Sequence, residues 1–145
     1  MMTMTPRLRQ FALIIHITCS VGWIGAVVAF LALVSAAMTS QDDQTVRAAW
    51  LAMELTGWFA IVPLSLAALL TGLVMALGTK WGLFRHYWVL FSLVLTLVAT
   101  IVLLANMQTV SFLAGLATAP DNTNVGELRG GLPGELLHAG LGLLV

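Results

Sequence analysis

Three intervals of this chain contain no Asp, Glu, Lys or Arg: from Arg9 to Asp42, from Glu54 to Lys80, and from Arg85 to Asp121. Each is longer than the ~20 residues an α-helix needs to cross a hydrocarbon core of ~30 Å. Inside a bilayer such a segment satisfies its backbone N–H and C=O groups only as a helix. Three transmembrane helices follow. Composition agrees, since 60% of the 145 residues are hydrophobic and only 8% are charged. The mean hydropathy of +1.01 lies well above that of a soluble globular domain.

The predicted class is all-α: a polytopic membrane protein forming an antiparallel four-helix bundle, with residues 1–145 as one transmembrane domain. Helices are expected at about 9–38, 46–78, 84–107 and from 133 onwards. The last reads PGELLHAGLGLLV and covers only about 18 Å at 1.5 Å per residue. It is expected either to be truncated within a fourth span or to dip into one leaflet. Asp and Thr in TSQDDQT offer caps for helix 2, and Pro133 suits the first turn of helix 4. VSFLAGLATA after Gln108 extends helix 3 or lies in the interface. PDNTNVGELRGGLPG reads as a loop from its Gly, Pro and Asn content. Arg7 and Arg9 precede an apolar run far longer than the ~7–15 residues of a signal core, so helix 1 is expected to be retained. The single cysteine, Cys19, excludes an intrachain disulfide. A formal net charge of zero with no basic cluster gives no reason to expect nucleic-acid binding.

Basic residues set the expected orientation. Arg7 and Arg9 precede helix 1, Arg47 lies in the first loop, Lys80 and Arg85 in the second, and Arg129 in the third. By the positive-inside rule the N-terminus and second loop are cytoplasmic, in a multi-pass protein of the plasma membrane.

Helical spacing assigns faces. Glu54, Gly57, Trp58, Ile61, Ser65, Ala68, Gly72 and Ala76 form one stripe of helix 2. Within it Ala68, Gly72 and Ala76 make a small-xxx-small ridge that admits a close helix. Pro63 is expected to kink this helix. His16, Ser20, Trp23 and Val27 form one stripe of helix 1, with Gly22, Gly25 and Ala29 on another side. On helix 3, Arg85, Ser92 and Thr96 share a side, close to Thr100.

His16, six residues, Trp23, one residue and Gly25 resembles the first-helix pattern of copper-resistance D-type membrane proteins. It is also similar to the opening helix of HemJ-type protoporphyrinogen oxidases. Over nearly the whole chain, HITCSVGWIGAVVAF, AMELTGWFAIVPLSLAALLTGLV, WGLFRHYWVL and LLHAG together resemble a family of small four-helix integral membrane proteins known as a domain of unknown function. The resemblance implies that His16 is a cofactor ligand, of haem or of copper. Copper is disfavoured, because the seven Met are dispersed and there is no multi-His site.

A titratable side chain inside a membrane span is costly unless it is paired or functional. His16 lies about 10 Å along helix 1 from Arg9. An inner group therefore comprises His16, His86 and Arg85: two imidazoles for the iron of haem b and a guanidinium for a propionate. An outer group comprises Glu54 and His138, joined by Glu135, as a carboxylate-imidazole pair or a proton or quinone site. Each has a structural alternative: His86 as an interfacial residue beside aromatic anchors, Arg85 snorkelling, and His16 and His138 as interhelical hydrogen-bonding groups. Two function classes stay open. One is a haem-binding or electron- or proton-handling protein. The other is a non-catalytic accessory subunit that packs against other membrane-protein subunits or its own copies in the bilayer through the small-residue faces. A transporter is disfavoured by the lack of a charged path. No phosphate loop, HExxH or nucleophile-base motif indicates an enzyme.

Overall fold

The computed structural model describes residues 5–78, 87–119 and 125–144, and every element among them is helical. Helix α1 spans Pro6–Thr39. Helix α2 spans Asp43–Gly78, and its Gly57–Ile61 segment is π-helical. Helix α3 spans Tyr87–Thr118 and helix α4 spans Val125–Gly142. The first three are long and apolar enough to cross a membrane. Their outward faces agree with that. Ile14, Ile17, Val21, Ile24 and Val28 form an exposed stripe along α1, as Phe91, Val94, Val98 and Ile101 do along α3. Apolar surface on that scale is stable against lipid and not against water.

Local chemistry explains the helix ends. Pro6 occupies the first turn of α1, where its missing N–H has no intrahelical acceptor to lose. Asp42 caps α2, its carboxylate accepting from the N–H groups of Gln44 (3.3 Å) and Thr45 (3.0 Å) and from the Thr45 hydroxyl (2.7 Å). Pro63 disturbs α2 as its chemistry requires. The chain absorbs the lost hydrogen bond just upstream, where the Val62 N–H reaches back five residues to the Gly57 carbonyl. The result is a π-bulge one turn before the proline. A Cβ at Gly57 would collide with the Met107 thioether, so a larger residue there requires that side chain to move.

Helix α3 takes the longer of its two expected courses, through VSFLAGLATA to Thr118. Helix α4 begins earlier than expected, at Val125, so that Pro133 lies inside the helix and not in its first turn. Four glycines between 126 and 134 disfavour helix by roughly 1 kcal/mol each. Burial prevails, since Val125, Leu128 and Leu132 recur at helical spacing and all three are buried.

That core is concentrated at the end of the molecule holding the α1–α2 and α3–α4 connections. Trp50, Val34, Val46, Val110, Leu128 and Leu132 are its most deeply buried members. The Trp50 indole N–H donates to the Leu128 carbonyl at 3.1 Å. Gly131 lets Trp50 and Leu113 approach α4 closely. Arg47 donates to the carbonyls of Ala117 (3.0 Å) and Ala119 (2.8 Å) at the end of α3, where the helix dipole is negative. Arg129 ties α4 to the α1–α2 turn, donating to the Ser40 carbonyl at 2.9 Å and pairing with Asp43 at 3.1 Å. Towards the other end the residues of α1, α2 and α3 part around a cleft, which α4 reaches at Gly142.

Candidate functional site

The cleft encloses about 900 Å³ between the first half of α1, the last part of α2 and the first part of α3. The residue pattern predicts its polar lining. His16, Ser20 and Trp23 come from the histidine stripe of α1, Ala68, Gly72 and Ala76 from the small-residue ridge of α2, and Ser92 and Thr96 from α3. Arg9 and Gln10 line it at the exposed start of α1. The ridge is turned towards α1: Ala68 and Ala76 are buried, and Gly72 faces the imidazole of His16.

The imidazole is held from one side. Its Nδ1 lies 3.1 Å from the Ala68 carbonyl and 3.0 Å from the Thr71 hydroxyl. A carbonyl only accepts, so Nδ1 carries the proton and donates. The Thr71 hydroxyl is 2.7 Å from the Ala67 carbonyl. It donates there and keeps its lone pairs for His16. With Nδ1 engaged on α2, Nε2 is the ring nitrogen that makes no hydrogen bond among the described residues, on a residue that lines the cleft. Ser20, one turn on, donates to the His16 carbonyl at 2.8 Å. This is the arrangement by which proteins orient a metal-ligating histidine, in which the far nitrogen donates to a backbone carbonyl that fixes the tautomer.

His86 and Arg85, the expected partners of His16, lie outside the described residues. Besides His16, Met75 is the described lining residue of a type that is able to ligate haem iron. Among the described residues no three His, Cys, Asp or Glu side chains converge as a site for a bare metal ion. A Cβ at Gly22 would meet Leu64 of α2 at an ordinary contact distance of 3.5 Å, whereas one at Gly25 would meet nothing within 4 Å.

The outer group is arranged differently. Glu54 is half-buried on α2, and no hydrogen bond or ion pair joins it to His138. Glu135 is only 4% exposed and accepts from the Asn106 side-chain amide at 2.9 Å. Glu135, His138 and Asn106 line a small cavity of about 50 Å³ with Trp23. Asn106 marks the end of a span by its polarity alone. Its partnership with Glu135 depends on α3 continuing past it, and no local pattern carries that information. No protein-family model, curated protein or solved structure matches the chain.

Proposed function

We propose that this multi-pass membrane protein binds a flat prosthetic group in the His16 cleft, with haem b the group its chemistry fits best. The observation that carries this reading is the one-sided anchoring of His16, which leaves Nε2 available to a cleft of about 900 Å³. Leu13, Ile24, Leu69 and Leu93 supply apolar walls, and Arg9 supplies a guanidinium for a carboxylate at the exposed end. His16 would hold the iron, and Met75 is the other lining residue whose side chain could contribute a ligand. Bound haem would supply one-electron chemistry, tuned by axial-ligand identity and burial. The likeness of the His16, Trp23 and Gly25 spacing to HemJ-type proteins supports the same reading. The pair Arg7 and Arg9 in the first turn of α1 favours a cytoplasmic N-terminus in the plasma membrane, and on that orientation the cleft lies in the inner half of a bundle of four helices.

The test is an optical spectrum, oxidised and dithionite-reduced, of the full chain purified in mild detergent from cells supplied with haem. A Soret band with reduced α and β bands, absent in His16→Ala, is expected. A featureless spectrum from a folded sample overturns the reading and leaves a packing subunit, with His16 as an interhelical hydrogen-bonding residue.

A further inference from the structure

The small cavity beyond Trp23 is chemically unlike the cleft. Its wall carries two titratable groups, Glu135 and His138, one turn apart on α4. The other lining residues, from α1, α2 and α3, include no further titratable group. Trp23, Val27 and Phe30 come from α1, Ile61 from α2, and Asn106 is the one polar residue from α3. Glu135 has a single neutral donor in Asn106 at 2.9 Å. No hydrogen bond joins it to His138, although both line the same space.

Trp23 provides an independent observation. Its indole nitrogen is buried and has no hydrogen-bond partner. Leaving a buried N–H without an acceptor is costly, and an ordered water is one partner that would satisfy it. The cavity of about 50 Å³ exceeds the ~10–15 Å³ that one water requires, and it supplies several polar partners. Trp23 and Gly142 also line the large cleft, so these two residues stand between the compartments.

We propose that Glu135, His138 and Asn106 form a buried proton-holding site. Water in the cavity bridges the carboxyl group, the imidazole and the Trp23 indole N–H. A proton moves between a Glu135 oxygen and a His138 ring nitrogen through that water, with no other reactant and no change of oxidation state. Carboxyl and imidazole groups packed among membrane helices are elements from which proton relays are built, and here both groups are carried by α4, which packs on the three apolar spans. Asn106 keeps one carboxyl oxygen oriented while the other faces water. The site stands whether or not the cleft takes a cofactor.

The experiment is pH-difference infrared spectroscopy on the full chain in lipid nanodiscs, in H2O and in D2O. A carbonyl band of a protonated carboxyl group is expected, shifted in D2O and lost in Glu135→Gln. It should persist in Glu54→Gln. Asn106→Leu and Trp23→Phe should each displace its frequency, the first by removing the direct donor and the second by removing a donor to the bridging water. His138→Gln should move the pH at which the band appears. Near-ultraviolet circular dichroism on each variant reports folding separately. If folded wild-type protein shows no such band at any pH, or if the band survives Glu135→Gln, the proposal fails. A band that responds to Asn106→Leu but not to Trp23→Phe or His138→Gln reduces the site to an isolated carboxyl-amide pair and overturns the relay. Because none of these readouts requires haem, a featureless optical spectrum and a failed proton site remain distinguishable.

Discussion

Gly72 and His16 occupy each other's space: a Cβ at Gly72 would lie 3.3 Å from Cε1 of the imidazole. The ring reaches Ala68 and Thr71 because the residue beside them has no side chain. A methyl group there demands a shift of a few tenths of an ångström, so Gly72→Ala should retain the seat. Gly72→Leu should expel the ring, break both Nδ1 contacts and destabilise the protein by the ~1–3 kcal/mol typical of overpacking. Nitrogen-15 histidine NMR, with His16→Gln to assign the signal, should show an Nδ1-protonated ring in wild type and in Gly72→Ala but not in Gly72→Leu. An unchanged signal in Gly72→Leu would contradict this geometry.

Two glycines of α4 should respond to the same substitution with opposite sign. A Cβ at Gly131 would meet Leu113 at 2.8 Å and Trp50 at 3.1 Å, whereas nothing lies within 4 Å of one at Gly126. Gly131→Ala should therefore lower stability by ~1–3 kcal/mol through overpacking. Gly126→Ala should raise it by up to ~1 kcal/mol, because the helical backbone loses less entropy on folding. Unfolding in detergent, monitored by circular dichroism, separates the two.

Sequence alone carries the part of this molecule fixed by charge and by helical spacing. The charge-free intervals give α1, α2 and α3, and the Asp42 cap is visible in TSQDDQT. Spacing puts His16, Ser20 and Trp23 on one stripe, but that this stripe borders a cleft comes from the packing of α2 and α3 against it. The start of α4 is not visible, since four glycines and a proline argue for a loop and only burial of Leu128 and Leu132 overrides them. That misplacement carries through to the outer group. With α4 begun at Val125, Glu135 and His138 lie in its third and fourth turns, where Asn106 and Trp23 share their cavity. The π-bulge is equally hidden, because Pro63 fixes that a hydrogen bond is lost but not where the helix takes up the slack.

Acid should weaken the start of α2. Hydrogen bonds from the Thr45 hydroxyl, then from the N–H groups of Thr45 and Gln44, hold the Asp42 carboxyl below its ordinary value of 3.8, against a small opposing effect of burial. The folded state thus binds the proton less readily than the unfolded chain. The cap's contribution is fully present above the unfolded value and falls away as pH drops through the folded one. Asp42→Asn keeps a side-chain acceptor and loses the titration. Its stability profile should be flatter than that of wild type below about pH 5, while the two profiles run parallel above it. Parallel profiles down to pH 2 would show that the carboxylate form contributes nothing at this cap.

Arg129 makes two contacts of different physical character, and they should separate by salt. One guanidinium nitrogen donates to the Ser40 carbonyl at 2.9 Å and the other pairs with Asp43 at 3.1 Å, with both side chains partly exposed to solvent. A lysine ammonium lacks the planar fork that serves both acceptors at once. Arg129→Lys should therefore cost roughly 1 kcal/mol or less, given solvent screening of the ion pair. A double-mutant cycle with Asp43→Asn should give a coupling of ~0.2–1 kcal/mol at low salt, shrinking at 1 M salt, where the screening length is ~3 Å. The cost of Arg129→Lys measured in the Asp43→Asn background belongs to the Ser40 carbonyl and should change little with salt. If the entire cost disappears in that background, the carbonyl contact does not hold α4 to the α1–α2 turn, and the ion pair alone does.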